Sequence, residues 1–570
     1  MTGALRPADW AVLVGTLALI VVVGLWRTRR VRTAEAYLRS GRDIRWWTIG
    51  LSIMATQASA VTFLSVPGQA YQDGLGFVQF YFGLPIAVVL LSAFAVPVYH
   101  RLRVYTAYEY LEQRFDRKTR QLTGLLFLIQ RGLGAGLSIY APAIVLSSVF
   151  GWSLGWTNLA IGTLVILYTV SGGARAVAQT QTLQMVVMLG GMGLGLLFVL
   201  RGLPVGVSLG DAMTIAGHLG KTQAVDFSLR LDTRYTVWAG LTGGLFLQLA
   251  YLGTDQSQVQ RYLTGGSLTE SRLGLLLNGL LKIPMQFFIL FVGLMVLVFY
   301  QFQAPPLFFH QAAWQRATEV APVEAAALER EQQGAFADKQ RTLAALLASR
   351  HGAGDGAARD AVEDASRQAL RAADARMNAA HEAARALVVR ADPRAEPRDA
   401  DYLFIGFVTR HFPAGLVGLL LAVIFSAAMS STASALSALG STSVVDFYKV
   451  SVRPGRSDGE YLLAARLFTV LWGVVAMLFA AFAALIDNLI QAVNIIGSLF
   501  YGTMLGVFVV GMFLKQVRAT PVFLGAIVAQ ATVLLVFATT PLGYLWYNPL
   551  GCGVVVLVAL VADRLTPRNP

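Results

Sequence analysis

Long apolar runs recur along this chain and limit what it can fold into more than any other feature. About 13 of them are long enough to cross the roughly 30 Å of bilayer hydrocarbon as α-helices. They lie at residues 10–26, 47–72, 77–99, 121–149, 154–171, 181–201, 235–253, 274–302, 412–440, 463–485, 490–513, 519–538 and 547–562. Charged residues make up only 14% of the chain, compared with about 25% in a typical soluble protein. The sequence therefore predicts an all-α polytopic membrane protein of about 13 transmembrane helices.

Positive charges collect in every second loop between these runs. Arg and Lys cluster at 27–46, 100–120, 261–272, 449–456 and 515–518, and again after residue 563. Because Lys and Arg concentrate in cytoplasmic loops, the clusters predict a multi-pass protein of the inner (plasma) membrane, with its N-terminus outside and its C-terminus in the cytoplasm. The same loops account for the net charge of +13 without a nucleic-acid partner. Since the charges follow the first run, we interpret that run as an anchor and not as a cleaved signal peptide.

Residues 303–401 interrupt the membrane pattern with a segment rich in Ala, Arg and Glu. Two helix-forming stretches, 322–350 and 357–391, flank a glycine-rich break, which predicts an extracytoplasmic antiparallel helical hairpin. The hairpin is either a solvated addition to a loop or a module that binds an external partner or captures a substrate. The chain then divides into residues 1–302 with helices 1–8, the insert at 303–401, and residues 402–570 with helices 9–13.

Two of the runs are too polar to be ordinary lipid-facing helices. The first, 50–71, contains Ser52, Thr56, Gln57, Ser59, Thr62 and Ser65, and Pro67 and Gly68 interrupt it near its end. Since an unpaired polar group in hydrocarbon costs several kcal/mol, such a helix lines a cavity or packs closely against other helices through its small residues. In the second, 414–440, Ser430 and Ser431 share a helix face with the Ala427 carbonyl. Together with carbonyls freed at a break near Ala55 and Ala58, they predict a five-oxygen cage suited to Na⁺.

Several short motifs occur in an order that resembles a known family. They are Glu35–Arg42 (EAYLRSGR), Ala55–Ala60 (ATQASA), Thr106–Phe115 (TAYEYLEQRF), Gly253–Leu263 (GTDQSQVQRYL) and Phe425–Ser431 (FSAAMSS). With them the chain, apart from 303–401, resembles the sodium/solute symporters, which include the sodium–glucose cotransporters and the sodium–proline symporter. The resemblance implies two five-helix inverted repeats, the first at 47–201 and the second beginning at 235–302. It also implies a Na⁺ site formed by the carbonyls of Ala55, Ala58 and Ala427 and the hydroxyls of Ser430 and Ser431.

The resemblance also implies a set of solute-binding positions. Gln248, Tyr251, Lys282 and Gln491 match binding positions of the sugar carriers, whereas Thr62 and Tyr81 stand where those carriers have glutamine and glutamate. Lys282 is a candidate without the analogy, because an ammonium inside a membrane usually faces a cavity or a partner; the alternative is a lysine that reaches an interface from a helix end. A sugar-like solute is the first expectation. A carboxylate, vitamin or amino acid is the alternative, since Lys282 would equally hold a carboxylate.

One departure from the family bears on the number of ions. Many members carry an aspartate, tied to a second sodium in some, at the position where this chain has Gln181. Loss of the carboxylate removes the charge that would stabilise a second cation, so we expect one Na⁺ per transport cycle.

The expected function is therefore Na⁺-coupled import of a small polar solute by alternating access. The expected partners are the solute, Na⁺ and the lipid bilayer, and an external partner for the insert is left open. A transporter-fold sensor is the alternative class, but it would need an effector domain that the short tail after Arg564 does not supply. A membrane enzyme is not expected, because no pair of runs offers a nucleophile with a base or clusters His with carboxylates.

Overall fold

The described chain is built almost entirely from helices. The computed structural model describes residues 5–28, 44–351, 356–393, 399–481 and 489–566. Among these residues, the β-structure is limited to an isolated bridge between Ile44 and Gly265. The expectation of an all-α membrane protein is confirmed, and nine described helical stretches are long and apolar enough to cross a membrane.

The helices are numbered here in chain order. The first half contains α1 (Pro7–Thr28), α2 (Trp46–Gln57), α3 (Ala60–Asp73), α4 (Leu84–Ala93), α5 (Ala95–Leu102), α6 (Ala107–Arg114), α7 (Arg117–Phe150), α8 (Leu154–Arg201), α9 (Leu209–His218), α10 (Val237–Gly253), α11 (Gln256–Tyr262) and α12 (Leu268–Phe302). The second half contains α13 (Gln311–Val320), α14 (Pro322–His351), α15 (Gly356–Ala391), α16 (Ala400–His411), α17 (Leu416–Val452), α18 (Asp458–Ala480), α19 (Leu489–Phe513), α20 (Ala519–Thr539) and α21 (Tyr547–Leu565).

The first polar run is broken beside Ala55 and Ala58, as expected, but it is not interrupted at Pro67 and Gly68. Helix α2 ends at Gln57 and α3 begins at Ala60, whereas Pro67 and Gly68 lie inside α3. Their role is close packing: a side chain on Gly68 would collide with the Ala400 carbonyl, and one on Gly293 would collide with the backbone of Pro67. Pro67 and Gly68 therefore let α12 and α16 approach α3, and the break lies about two and a half turns earlier.

The backbone does not turn between the fifth and sixth runs, which the sequence indicates as separate segments. Residues Leu154–Arg201 form one helix of 48 residues, α8, whose two apolar parts coincide with the predicted runs. A glycine inside a helix costs only about 1 kcal/mol, so Gly172 and Gly173 do not by themselves end it.

The two ends of the helical bundle differ in charge. At one end Asp9 accepts hydrogen bonds from the backbone of Gly415 and Gly418, close to the residues that carry the insert. At the other end the predicted basic loops meet: Arg114 donates to the Lys515 carbonyl at 2.8 Å, and Arg518 pairs with Asp563 at 2.9 Å. The first and last described helices thus place the two chain termini at opposite ends, and the basic loops lie opposite the insert.

The insert forms the expected hairpin and also docks onto the membrane domain. Helices α14 and α15 match the predicted stretches and are joined by ion pairs such as Lys339 to Asp374 at 2.9 Å. Part of the hairpin is buried against the membrane domain: Leu343, Leu346 and Leu370 are buried together with Ile215 of α9. Arg350 also binds Asp211 of α9 at 3.0 Å. These contacts fix the insert against the loop between α8 and α10.

A buried His–Asp pair fastens the base of the insert. His381 of α15 lies 3.2 Å from the carboxylate of Asp399, and its other ring nitrogen contacts the Leu307 carbonyl at 2.8 Å. Burial alone would lower the pKa of His381, but the hydrogen bond and charge of Asp399 outweigh it and raise the pKa to about 9. Asp399 precedes α16, which packs on α3, so this pair links the insert to the broken helix.

The raised pKa predicts that insert docking weakens in alkali. Because the pKa of His381 is higher in the folded protein than the ordinary value of 6.5, its contribution is full below about pH 6.5 and is lost as the pH rises through about 9. At about 1.4 kcal/mol per pKa unit, the pair contributes roughly 3 kcal/mol near neutral pH. We expect the Tm difference between the wild type and His381→Asn to be largest near pH 6, still large near pH 7, and to vanish near pH 10.

The partner variant provides the control for this prediction. Asp399→Asn should lower Tm near pH 7 to a similar extent, and adding His381→Asn to it should change Tm little. A Tm difference between wild type and His381→Asn that stays constant from pH 7 to pH 10 would show that the charged pair does not hold the insert.

Candidate functional site

The backbone break between α2 and α3 lies against the middle of α17. Ala58 closes α2 with its N–H bonded to the Met54 carbonyl at 2.7 Å, and Ser59 then adopts an extended conformation. The last carbonyls of a helix have no N–H partner within that helix. Here the Ala55 carbonyl accepts a hydrogen bond from the Ser430 hydroxyl at 3.1 Å, although the two residues are 375 positions apart. The predicted carbonyl ligand and the predicted hydroxyl ligand of the ion are therefore in direct contact.

The remaining predicted ion ligands lie close by. Ser431 donates to the Ala427 carbonyl at 3.0 Å, one helical turn earlier in α17. Ala58, Ala427, Ser430 and Ser431 are all at most 2% exposed. The site thus consists of neutral oxygens in a buried environment without room for large side chains, which is the ligand chemistry that a hard monovalent cation requires.

Gln181 of α8 fills the space beside these ligands. Its amide nitrogen lies 2.9 Å from the hydroxyl of Ser430, 2.9 Å from that of Ser434 and 3.0 Å from that of Thr56. Its amide oxygen accepts a hydrogen bond from Ser52. One amide therefore ties α2, α8 and α17 together, at a position surrounded by oxygen atoms on several sides.

A cavity of about 90 Å³ adjoins the break. Five of the six predicted solute-binding residues line it, namely Thr62, Tyr81, Gln248, Tyr251 and Lys282. Thr56, Ser59 and Ser431 line it as well, so the cavity and the candidate ion site share a wall. A larger cavity of about 370 Å³ lies between the insert and the ends of α3 and α12, away from the predicted residues.

Gln491 is the predicted residue that does not line this cavity. Helix α19 contributes Ile490, Val493 and Asn494 to the wall instead. Successive residues of a helix are rotated by about 100°, so Gln491 lies at the edge of the face that carries Ile490 and Val493 and points away from the cavity that they line. Its amide oxygen accepts from Arg234 at 2.6 Å and its nitrogen donates to Gln69 at 3.0 Å. The helix that carries Gln491 does line the cavity, but through other residues.

Lys282 is buried in the middle of α12. The residue is 2% exposed, and its ammonium lies 5.5 Å from the ring centroid of Tyr81. Among the described residues Lys282 forms no ion pair, and the lining of the cavity contains no Asp or Glu. The alternative that Lys282 reaches an interface from a helix end does not fit this position. An unpaired ammonium in a buried cavity is costly unless a ligand supplies the opposite charge.

Two further residues of this cavity were not identified from the sequence. Arg131 of α7 lines the cavity, with its guanidinium 3.7 Å from the carboxylate of Asp255, which also accepts from the Tyr501 hydroxyl at 2.8 Å. Gln57 ends α2, and both atoms of its buried amide have no hydrogen-bond partner among the described residues. Arg131 could have been found as a charge within an apolar run, the same signal that identified Lys282.

Comparisons with known proteins agree with this architecture. Residues 37–325 and 385–529 match the Sodium:solute symporter family. The chain is 35% identical to the human sodium/iodide cotransporter over 280 residues, which is 48% of this chain and 43% of that protein. It is 32% identical to the Xenopus laevis sodium-coupled monocarboxylate transporter 1 over 47% of this chain and 44% of that protein. The chain thus spans less than half the length of these two relatives.

Other similarities extend along the whole chain. The sodium/sialic acid symporter of Proteus mirabilis is 25% identical over 98% of this chain and 95% of that protein. A solved structure of the substrate-bound outward-open state of a Na⁺-coupled sialic acid symporter superposes with a TM-score of 0.74 at 24% identity, over 99% of this chain and 98% of the other. The overall fold is therefore shared from end to end. The chain is a multi-pass, Na⁺-coupled transporter and not an enzyme, and it belongs to the sodium:solute symporter family.

Proposed function

We propose that this protein couples Na⁺ to the transport of a small organic anion that carries a carboxylate. The observation that supports this most directly is Lys282, a buried ammonium that faces the cavity beside the ion site and has no carboxylate partner among the described residues. Arg131 adds a second positive charge to the same cavity. A bound carboxylate would neutralise Lys282 and accept hydrogen bonds from it in a buried environment, where charged hydrogen bonds are strong.

The named relatives support an anion over a neutral sugar. They are described as carriers of iodide, of monocarboxylates and of sialic acid. Iodide, monocarboxylates and sialic acid are negatively charged at neutral pH. The first expectation of a sugar-like solute has no such support, and the alternative of a carboxylate is the better proposal.

The proposed Na⁺ ligands are the carbonyls of Ala55, Ala58 and Ala427 and the hydroxyls of Ser430 and Ser431. A cation bound to both α2 and α17 would hold the α2–α3 break against α17. Because Ser431 and Ser59 also line the solute cavity, the bound ion would fix one wall of that cavity in its binding geometry. Such coupling between two ligands is typically worth about 1–3 kcal/mol and is reciprocal.

We further propose one Na⁺ per transported solute. The Gln181 amide lies among the hydroxyls of Thr56, Ser430 and Ser434, where a carboxylate would be needed to hold a second cation. One Na⁺ moving with a singly charged carboxylate transfers no net charge. Transport of such a solute would then be insensitive to the membrane potential.

The basic loops suggest how the protein sits in the membrane. Since Lys and Arg concentrate on the cytoplasmic side, the end of the bundle with Arg114 and Arg518 would face the cytoplasm. The insert and the end of α1 near Asp9 would then face outward, from the plasma membrane.

The solute class can be tested by ligand-induced thermal shifts of the purified protein. Small carboxylates, sialic acid, vitamins and neutral sugars are compared with and without Na⁺, and we expect stabilisation by a carboxylate only when Na⁺ is present. Lys282→Met should weaken that ligand by about 30-fold or more, because a buried charged contact is worth at least about 2 kcal/mol. Lys515→Met, at the basic end, is the matched control and should bind normally. Stabilisation by a neutral sugar alone, unchanged in Lys282→Met, would contradict the anion proposal.

The ion site can be tested by removing one hydroxyl. Ser430→Ala should raise the Na⁺ concentration for half-maximal uptake by about 10-fold or more, because contacts to a charged group are worth about 1.5–3 kcal/mol. Uptake into proteoliposomes at a series of Na⁺ concentrations measures it. Ser426→Ala, another buried serine of α17, should leave the Na⁺ dependence unchanged. Equal Na⁺ dependence in Ser430→Ala and the wild type would rule out this ligand.

The ion count can be tested by restoring an acid at position 181. In the wild type, an inside-negative potential should not accelerate uptake of a monovalent carboxylate. Gln181→Asp should make uptake faster with an inside-negative potential and steepen its Na⁺ dependence, because a carboxylate among these hydroxyls would admit a second cation. Gln181→Ala removes the amide without adding charge and should stay insensitive to potential. Two Na⁺ per solute in the wild type would overturn the proposal.

A further inference from the structure

The segment between α9 and α10 crosses the end of the bundle that carries the insert. We propose that residues 219–236 form a lid over the solute cavity, latched by Arg234, Gln491 and Gln69 and held at its far end by the insert. This proposal rests on the proposed function in one respect, since the cavity that the lid closes is the proposed solute cavity. The latch residues are positioning residues that control access and do not themselves bind the solute.

The latch is a chain of side-chain hydrogen bonds between three parts of the molecule. Arg234 of the lid donates to Gln491 of α19 at 2.6 Å, and Gln491 donates to Gln69 of α3 at 3.0 Å. Gln69 in turn donates to Asp73 at the end of α3. The chain thus connects the lid to the second half of the broken helix and to the helix opposite it.

The latch lies between the cavity and the insert's end of the bundle. Gln69 follows Thr62, which lines the cavity, by seven residues of α3, so the latch is about 10 Å further along that helix. Gln491 is adjacent to Ile490, which also lines the cavity. A solute that enters from the insert's side must pass these side chains, so the hydrogen bonds must break before it reaches Lys282.

The lid is also joined to the segment that leads into the cavity wall. Gln79 accepts from the backbone N–H of Asp226 at 2.8 Å and donates to the Tyr235 carbonyl at 3.1 Å. The Tyr235 ring stands perpendicular to that of Phe77 at 5.2 Å, and Phe77 contacts Tyr81 of the cavity wall. Movement of the lid would therefore change the ring contacts that position Tyr81, which lines the solute cavity.

The insert restrains the other end of the lid. Helix α9 leads directly into residue 219, and the insert holds α9 through Arg350 on Asp211 at 3.0 Å and through Arg371, which donates to the His218 carbonyl at 2.8 Å. Ile215 of α9 is buried against Leu343 and Leu370 of the insert. The insert therefore anchors one end of the lid, and Arg234 lies near the other end, just before α10.

The latch is strong enough to close and weak enough to open. A single hydrogen bond contributes modestly to stability, and it contributes more where one partner is charged, as Arg234 is. Arg234 is exposed, so water can replace its bond to Gln491 during opening. Lids of this strength open on the microsecond to millisecond timescale, which is compatible with transport.

Cysteine accessibility tests the latch without knowledge of the solute. The sole cysteine is replaced by Cys552→Ala, and Val493→Cys then places a reporter in the cavity wall. A membrane-impermeant thiol reagent is applied separately to each face of the membrane. From the insert's face, Arg234→Ala, Gln491→Ala and Gln69→Ala should each accelerate labelling by about tenfold, whereas Gln491→Glu, which still accepts from Arg234, should not.

Matched variants separate the latch from general loosening. Arg230→Ala lies in the same lid but removes only a surface pair with Asp232, so labelling should keep the parent rate. Arg350→Ala, which releases the insert from α9, should accelerate labelling from the insert's face. Unchanged labelling in the three latch variants, or equal acceleration from both faces, would overturn the proposal. Either result would leave the carboxylate-binding tests unaffected, since labelling requires neither Na⁺ nor solute.

Discussion

The contact between the Ala55 carbonyl and the Ser430 hydroxyl is the interaction on which the rest of this structure depends. A break inside the membrane leaves backbone carbonyls without N–H partners, and each such group is costly in hydrocarbon. The chain meets this cost by bringing a serine-rich helix, α17, against the break and by inserting the Gln181 amide between them. The small residues of α17 are buried along its whole length because they must approach α2 and α3 so closely.

The solute cavity follows from this arrangement. Since α3 restarts at Ala60 after the break, Ser59 and Thr62 face a space that also receives Lys282 from α12 and Arg131 from α7. In the lining, Lys282 has no ion-pair partner among the described residues, whereas Arg131 pairs with Asp255 at 3.7 Å. The proposed ion and solute sites share residues of the same break, so in the proposed function they would be coupled by direct contact and would not require a long pathway between them.

The insert packs against the end of the bundle that lies opposite the basic loops. The segment 303–401 resembles a soluble helical hairpin in composition, yet its buried contacts are with α9 and with the residues around Asp399. It therefore holds elements that lead to the broken helix and to the lid. Its largest buried apolar contact with the membrane domain, around Ile215, lies on the element that leads into the lid.

The sequence by itself determined the apolar runs, the all-α class, the two polar spans and the small residues of the ion site, because hydrophobic length and helical spacing are local properties. Only the tertiary structure decided that Pro67 lies inside a continuous helix, that Asn494 and not Gln491 lines the cavity, and that Arg131 lines it as well. Those outcomes depend on which faces of distant helices meet. Helical periodicity fixes the residues that share a face, but the partner of that face is chosen by packing between segments hundreds of residues apart.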